Sequence, residues 1–100
     1  MSGIRENLFA VVSAIPSGKV MGYGDVGSSL DRPCSGLVVG KMIADCPAGV
    51  PWWRVVGANG DIKTDRRDPR IGMEQRALLA NEGVQLENDR VPRRYFVEQE

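Results

Sequence analysis

Two short segments of helical character on either side of the tripeptide Asp-Arg-Pro constrain the fold of this chain more than any other feature. The first segment, "YGDVGSSL" at residues 23–30, is interrupted by glycines but has the length of a short helix. The second, "CSGLVVGKMIA" at residues 34–44, is apolar enough and long enough for another helix, with Pro33 tolerated in its first turn. Two helices joined by a tight turn predict a helix-turn-helix unit.

A longer helix is predicted ahead of this unit. Its apolar residues recur at helical spacing: Ile4, Leu8, Val11, Val12 and Ile15. Ser2 stands in position to cap its first turn, and Pro16 together with the glycine of "IPSGKV" ends it. We therefore expect the first core helix to lie between Ser2 and Pro16.

The second half of the chain predicts a hairpin and a further helix. In "VPWWRVVGANGDIKT" (residues 50–64), β-branched and aromatic residues flank the turn "GANG", which is typical of a hairpin that could serve as a wing. "MEQRALLANEGVQL" (residues 73–86) predicts a helix closed by Gly83 and a short strand at residues 84–86. The expected fold is a single domain over residues 1–100, mostly α with a small β hairpin.

Composition limits the classes of function. The 100 residues, 42% of them hydrophobic, suit one domain, and no apolar run approaches the ~20 residues that span a bilayer. Glu6 and Asn7 interrupt the apolar pattern near the N-terminus, which a signal peptide would avoid, so we expect a cytoplasmic protein without membrane association. Because the chain has no histidine and only Cys34 and Cys46 as thiols, we expect no metal site, no cofactor and no histidine base.

The charge pattern does not by itself predict a nucleic-acid binder. The chain carries 13 basic and 13 acidic residues and therefore has no net charge. Six basic residues crowd its middle: Arg54, Lys63, Arg66, Arg67, Arg70 and Arg76. Four acidic residues are interleaved with them: Asp61, Asp65, Asp68 and Glu74. Charge alone thus favours a solvated surface, and DNA binding through few cations would depend only modestly on salt.

Four stretches carry a resemblance to a known family. They are "IPSGKVMGYGDV", "RPCSGLVVGKMI", "VPWWRVVGANGDI" and "LLANEGVQL". In this order, and covering nearly the whole chain, they resemble the C-terminal DNA-binding domain of O6-alkylguanine-DNA alkyltransferases, which implies a winged helix-turn-helix-like fold. The pocket motif of the active enzymes is Pro-Cys-His-Arg-Val, whereas Trp52 and Trp53 stand at its cysteine and histidine positions here. This resembles the alkyltransferase-like proteins, although a histidine usually follows their tryptophan, so Trp53 departs from that pattern.

The replacement changes the chemistry of the motif. Alkyl transfer from O6 of guanine requires a thiolate activated by a neighbouring base. An indole nitrogen donates a hydrogen bond and has no free lone pair, but the ring can stack on a purine, which contributes about 1–3 kcal/mol per base. We therefore expect no catalytic residue and no enzymatic activity. Cys34 and Cys46 lie away from the matched position and have no histidine to activate them, which disfavours either as an alkyl acceptor.

The resemblance implies a lesion pocket formed by Tyr23, Trp52, Trp53 and Arg54. Tyr23 matches the tyrosine that turns the target phosphate so that the base leaves the duplex; its alternative role is a core aromatic at a helix start. Arg54 matches the motif arginine, for which we expect a structural role in the pocket loop. Glu82 matches the glutamate that orients the histidine of active enzymes, and we expect it to be a structural leftover here.

The resemblance also implies that the recognition helix binds DNA through Cys34, Ser35, Gly36, Leu37 and Lys41. Leu37 stands where the family has an arginine that fills the gap left by the extruded base. Apolar side chains can also wedge between base steps, so leucine could keep the plug while losing hydrogen bonds to the orphaned cytosine. The alternative is that Leu37 belongs to the helix core and that base flipping is weakened.

Two functions remain from these observations. The first is a monomeric sensor that binds O6-alkylguanine in double-stranded DNA by base flipping, does not repair it, and directs it to nucleotide excision repair proteins. O6-alkylation weakens pairing with cytosine, so the lesion lowers the cost of its own extrusion. The second is a winged-helix DNA-binding or regulatory protein without lesion preference, in which Trp52 and Trp53 are core residues. An active alkyltransferase is a distant third.

Overall fold

The computed structural model describes residues 3–97, and helices dominate this range. The helices and strands are, in order, α1 (Ile4–Ser13), β1 (Met21–Gly22), α2 (Tyr23–Ser28), α3 (Gly36–Ile43), β2 (Val55–Val56) and α4 (Pro69–Asn81). Short 3-10 turns lie at Trp52–Arg54, Lys63–Arg66 and Arg93–Tyr95. None of the helices in the described range is long and apolar enough to cross a membrane. The predicted mostly α fold is confirmed.

The first three helices form where the sequence predicts them, with one difference in α3. Gly3 takes the N-cap position of α1, and the predicted cap Ser2 lies outside the described residues. Pro33 precedes α3 and does not lie in its first turn, so that prediction is wrong. The reason is that the Ser35 hydroxyl accepts a hydrogen bond from the Val38 amide at 3.3 Å, which caps the helix and sets its start at Gly36.

Close packing of α2 on the connection to α3 depends on Gly27. A Cβ atom at this position would overlap the carbonyl oxygen of Cys34 and lie 3.1 Å from its carbonyl carbon. The same two residues are joined by a hydrogen bond from the Cys34 amide to the Gly27 carbonyl, at 3.2 Å. Both obstacles are backbone atoms, so they cannot move aside as a flexible side chain would.

Gly27→Ala is expected to lower the free energy of unfolding by about 1–3 kcal/mol, because the added methyl group forces α2 away from the following loop. Urea denaturation monitored by circular dichroism measures this. Gly24→Ala in the same helix is the control, since nothing lies within 4 Å of a Cβ there. That substitution should stabilise the protein by about 0.5–1 kcal/mol. Equal effects of the two substitutions would contradict the packing argument.

The predicted hairpin at residues 50–64 is wrong. β2, its first arm, pairs in parallel with β1, and its second arm forms the 3-10 turn Lys63–Arg66 instead of a strand. The turn itself exists, because the Gly60 amide donates to the Gly57 carbonyl at 2.8 Å. The start of the second arm pairs instead with residues that follow α4. The Val91 amide donates to the Gly60 carbonyl at 3.0 Å, and Asp61 forms an isolated bridge with Arg90. A distant segment therefore competes successfully with the local hairpin.

Helix α4 begins at Pro69, four residues earlier than the predicted segment, because the Asp68 side chain caps it by accepting from the Arg70 amide at 2.9 Å. Gly83 follows the C-cap with φ +86°, which confirms its predicted left-handed conformation. The predicted strand at residues 84–86 is wrong, since the next pairing is an isolated bridge between Glu87 and Arg90.

Buried side chains form two clusters that meet at β2. The first cluster contains Val55 and the apolar faces of α1, α2 and α3, and the second contains Val56, Leu79 of α4 and the chain that follows it. Successive residues of a strand point to opposite sides, so β2 contributes to both clusters. The 3-10 turn Trp52–Arg54 precedes β2 and is therefore placed at the boundary between them.

Candidate nucleic-acid interface

The two adjacent tryptophans point in different directions. Their rings are edge to face, with centroids 6.1 Å apart and an interplanar angle of 87°. Trp52 packs against the first buried cluster and lines a surface cavity, whereas Trp53 packs against the second cluster. Each ring is partly buried. Trp53 therefore belongs to the packing of the core, whereas Trp52 presents part of its ring to the cavity.

The cavity beside Trp52 has a volume of about 290 Å³, at the lower end of the range of small-ligand pockets. It is lined by Tyr23, Ile43, Ala44, Cys46, Pro47, Ala48, Gly49, Trp52, Thr64, Arg67, Ile71 and Glu74. Most of these residues are apolar or small, and two of them are aromatic. The wall therefore offers flat surfaces for a planar ring together with a few polar groups that can orient it.

Tyr23 is held at the start of α2 by close contact with α3. A Cβ atom at Gly36 would lie 3.2 Å from the Tyr23 Cβ, and one at Gly40 would lie 3.9 Å from its ring. The two glycines thus let the ring pack along α3. Burial raises the pKa of Tyr23, against the opposing effect of the Arg67 charge, so the hydroxyl stays protonated at neutral pH and can donate a hydrogen bond.

A second and larger cavity opens beside the first. It has a volume of about 610 Å³ and shares Tyr23, Ala44, Thr64 and Arg67 with the Trp52 cavity. Its other walls are the exposed face of α3, the turn at Gly57 and Ala58, and the 3-10 turn Lys63–Arg66. We call this larger cavity the cleft. A group bound in the Trp52 cavity would therefore stand at the edge of the cleft.

The cleft is cationic although the chain has no net charge. Its walls carry Lys41, Lys63, Arg66 and Arg67 and no acidic side chain, and all four cations are exposed. Among residues 3–97, none of these four forms an ion pair, whereas Asp61, Asp65 and Asp68 pair with other arginines. These three acids are thus held away from the cleft, whereas the fourth interleaved acid, Glu74, lines the neighbouring Trp52 cavity. The basic side chains are exposed, as the interpretation of this region as a solvated surface predicts, but their separation from the acids is not visible in the sequence, because pairing in space does not follow order in sequence.

Asp65 shows how the acids are withdrawn. Its carboxylate occupies the space that a Cβ of Gly72 would fill, so only glycine allows this contact with α4. Arg76 holds both carboxylate oxygens, at 2.8 and 2.7 Å, and these hydrogen bonds lower the pKa of Asp65. The 3-10 turn Lys63–Arg66 is thereby fixed to α4, which leaves its cationic side chains facing the cleft.

The structure brings Gly36, Leu37 and Lys41 to the cleft wall and places the other two predicted DNA-binding residues elsewhere. Leu37 is 73% exposed, so the alternative that it belongs to the helix core is wrong. Ser35 acts as the cap of α3, and Cys34 packs against the first buried cluster. Neither lines the cleft.

Trp53 and Arg54 support the pocket turn from behind and do not line the Trp52 cavity. The Trp53 indole N–H donates to Glu82 Oε2 at 3.0 Å, and Arg54 Nε donates to Glu82 Oε1 at the same distance. Arg54 Nη1 also donates to the Ile15 carbonyl at 2.9 Å, and its guanidinium lies 5.5 Å from the Trp53 ring centroid. The prediction that Trp53 and Arg54 line the lesion pocket is therefore wrong. Both side chains turn towards Glu82 because its carboxylate accepts their hydrogen bonds.

Glu82 is a structural centre and not a leftover. It accepts hydrogen bonds from the Gly18 amide, the Trp53 indole and Arg54, and its side chain is only 12% exposed. Burial alone would raise its pKa, but the hydrogen bonds from Arg54, Gly18 and Trp53 outweigh this effect and lower the pKa below its ordinary value. The carboxylate is thus ionised at neutral pH and joins three segments of the chain.

Sequence reasoning missed two groups of residues that shape this region. Lys63, Arg66 and Arg67 belonged to the visible basic cluster, but the neighbouring acids concealed their role. Gln75 is buried in α4, accepts from the Thr64 hydroxyl at 2.7 Å, and donates to the Val55 carbonyl at 3.0 Å. An isolated polar residue on a helix gives no sequence signal of such a role.

Comparison of the sequence with known proteins identifies a family and several relatives. The model of the 6-O-methylguanine DNA methyltransferase DNA-binding domain matches residues 4–84. The DNA base-flipping protein of Vibrio parahaemolyticus is 35% identical over 88 residues, which cover 86% of this chain and 85% of that protein. Alkyltransferase-like protein 1 of Schizosaccharomyces pombe is 30% identical over 89 residues, which cover 86% of this chain and 81% of the relative.

Solved structures show the same fold. S. pombe Atl1, in complex with damaged DNA containing O6-carboxymethylguanine, aligns with a TM-score of 0.85 at 24% identity over 99% of this chain and 100% of that chain. Mycobacterium tuberculosis O6-methylguanine methyltransferase aligns with a TM-score of 0.71 at 24% identity over 89% of this chain and 53% of that chain. The predicted fold class is thereby confirmed. Together with the family match over residues 4–84, these relatives show that the chain belongs to the family of 6-O-methylguanine DNA methyltransferase DNA-binding domains.

Proposed function

We propose that this protein is a non-enzymatic sensor that binds O6-alkylguanine in double-stranded DNA by flipping the base into the Trp52 cavity. The observation that carries this proposal is the position of Trp52, which forms the wall of a cavity at the edge of a cationic cleft. The resemblance of "PWWRV" to the family's pocket motif, with Trp52 at the position of its acceptor cysteine, supports the same assignment. The name of the Vibrio relative and the damaged DNA bound to S. pombe Atl1 support the same class of ligand.

The cleft supplies the contacts that hold the duplex. Lys41, Lys63, Arg66 and Arg67 face it without ion pairs among the described residues and are suited to phosphate oxygens. Phosphate contacts position a protein on DNA without reading sequence, which a sensor of chemical damage requires. α3 lies along the same wall of the cleft, where it can enter a groove of the duplex.

Tyr23 and Leu37 carry out the extrusion of the base. Tyr23 stands on the boundary between the cleft and the Trp52 cavity, where its hydroxyl can bind the phosphate of the rotating nucleotide. Leu37 projects from the first turn of α3 and fills the gap in the base stack as an apolar wedge. The flipped purine then stacks on Trp52, and the small side chains opposite accommodate its alkyl group.

The Trp52 cavity contains no effective alkyl acceptor. The indole of Trp52 has no lone pair for attack. Cys46 provides the one thiol among the cavity-lining residues of the described range, and burial raises its pKa, so little thiolate forms at neutral pH. Without histidine in the chain, no imidazole base can remove the thiol proton. The lesion therefore remains intact in the complex.

Recognition without repair requires a second activity that removes the lesion. We assign this role to nucleotide excision repair proteins, to which a cytoplasmic monomer would present a flipped base on distorted DNA. The argument is chemical: the bound alkyl group has no acceptor in the cavity, so excision of the nucleotide by other proteins is the route that remains.

Binding titration of two duplexes that differ only in one O6-methylguanine tests the proposal. At a single stated salt concentration, we expect at least tenfold tighter binding to the damaged duplex, which corresponds to about 1.4 kcal/mol. Mass spectrometry of the protein after incubation should show no added methyl group. Equal affinity for the two duplexes would instead support the alternative, a winged-helix DNA-binding protein without lesion preference.

A further inference from the structure

We propose that the DNA-binding surface continues past the cleft as a second basic surface, centred on Arg93 and Lys19, that binds phosphates of the duplex flanking the lesion. We call this surface the Arg93 band; it consists of Ala58, Asn59, Arg93, Phe96 and Lys19. The inference rests on the proposed function, because it requires that a duplex lies in the cleft. Arg93 and Phe96 lie outside the family match over residues 4–84, and none of the five residues is among the predicted lesion-pocket or DNA-binding residues.

Shared cavity walls connect the band to the cleft. Ala58 lines the cleft and also a neighbouring cavity of about 400 Å³, which runs past Asn59 to Arg93 and Phe96. Arg93 and Phe96 in turn line a fourth cavity, of about 610 Å³, that reaches Lys19. The concave surface is therefore continuous from α3, across the turn at residues 57–60, to the segment after α4.

The two cations of the band have no carboxylate partner among residues 3–97, although the Lys19 ammonium donates to the Arg94 carbonyl at 3.5 Å, whereas the neighbouring arginines are paired. Among residues 3–97, neither Arg93 nor Lys19 forms an ion pair, and both are exposed. Arg90 and Arg94 lie in the same region but are neutralised by Asp61 at 3.1 Å and Glu87 at 2.8 Å, respectively. One acidic side chain without an ion pair in the described range, Asp25, lines the fourth cavity. Within residues 3–97, two cations without an ion pair thus accompany one such carboxylate.

Arg93 is held in position before any ligand binds. Its guanidinium lies 5.1 Å from the ring centroid of Phe96, a distance at which the positive charge is attracted by the face of the ring. The segment that carries both residues is fixed to the body of the protein by Val20, whose amide donates to the Tyr95 carbonyl at 2.9 Å and whose carbonyl accepts from the Val97 amide at 2.9 Å. The side chain therefore loses little entropy on binding a phosphate.

Continuity and charge favour the DNA backbone as the occupant. A duplex in the cleft presents a phosphate about every 3.4 Å along each strand, so its flank extends over the adjoining turn and brings anions to the band. A planar guanidinium suits phosphate oxygens, and Lys19 adds a second point charge. The polar Asn59 side chain lies between the two cationic regions and can donate to the same backbone.

Salt-dependent binding of Arg93→Gln, Lys19→Gln and the double variant tests this inference. Each lost phosphate contact should reduce the slope of log affinity against log salt by about 0.9. Damaged and undamaged duplexes should weaken by the same factor, so the lesion preference should not change. Arg93→Lys retains the charge and should restore the slope. Arg70→Gln is the control for net charge, because Arg70 is exposed and lines none of these cavities.

Shortening the duplex provides an independent check. When the flank on one side of the lesion is cut to about three base pairs, the wild-type protein and the double variant should bind equally; cutting the other flank should preserve their difference. An unchanged salt slope in a correctly folded double variant would overturn the inference and leave the band available to an acidic protein partner. Failure of the proposed function gives a different result, namely equal affinity for damaged and undamaged duplexes at every salt concentration, whatever the slope.

Discussion

Glu82→Ala is expected to lower the free energy of unfolding by about 3 kcal/mol, because it leaves several buried donors without a partner. The guanidinium of Arg54 loses its counter-charge, and the Trp53 indole and the Gly18 amide lose their acceptor. The side chains of the ion pair are only 12% and 15% exposed, so water replaces these bonds poorly. Urea denaturation monitored by tryptophan fluorescence and circular dichroism gives the value.

Two further variants separate the charge of Glu82 from its shape. Glu82→Gln retains the volume and one acceptor oxygen, so we expect a smaller loss than with alanine. Glu87→Ala is the control, because the Glu87–Arg94 pair is more than half exposed on both sides and should contribute less than about 1 kcal/mol. A loss at Glu82→Ala no larger than that of the control would show that the Glu82 network does not hold the pocket turn.

The pH dependence of stability checks the same ion pair. Burial opposes ionisation of Glu82, but hydrogen bonds from Arg54, Gly18 and Trp53 keep its pKa below the ordinary value. The stabilisation is therefore complete above the unfolded-state pKa, about 4.3, and is lost as pH falls through the folded-state pKa. The decline in wild-type stability below about pH 4.3 should be less steep in Glu82→Gln, with the remainder due to other paired carboxylates such as Asp65.

Trp52→Ala is expected to abolish the preference for O6-methylguanine. Stacking of a base on an aromatic ring contributes about 1–3 kcal/mol, so loss of the indole should reduce lesion affinity by about 5-fold to 150-fold. Affinity for undamaged DNA should change little, because the cations of the cleft are unaffected. Titration of damaged and undamaged duplexes at one salt concentration measures both quantities.

The neighbouring tryptophan provides a matched comparison. Trp53→Phe removes the indole N–H that donates to Glu82, so it should lower stability by about 1–3 kcal/mol while the lesion preference is retained. Trp52→Phe keeps an aromatic surface and should keep part of the preference. Since Trp52 also packs against the first buried cluster, circular dichroism must show that each variant is folded. Loss of lesion preference in Trp53→Phe, with Trp52→Ala unaffected, would reverse the assignment of the two rings.

Local sequence patterns predict the helices of this protein and the aromatic character of its pocket motif. Apolar spacing located α1, the residues on either side of Asp-Arg-Pro located α2 and α3, and Gly83 marked the end of α4. These features depend on neighbours within about one turn, so local conformational preference is sufficient. The presence of an indole instead of a thiol at residue 52 is likewise a property of one position.

Packing of the whole fold selects which residues meet. It paired β2 with β1 instead of with the second arm of a hairpin, and it separated Trp52 from Trp53. It also paired Asp61, Asp65 and Asp68 with arginines that do not line the cationic cleft. The bond between Gly18 and Glu82 spans 64 positions in the chain, and a partner at such a distance is chosen by packing of the whole fold, which local sequence preference does not encode.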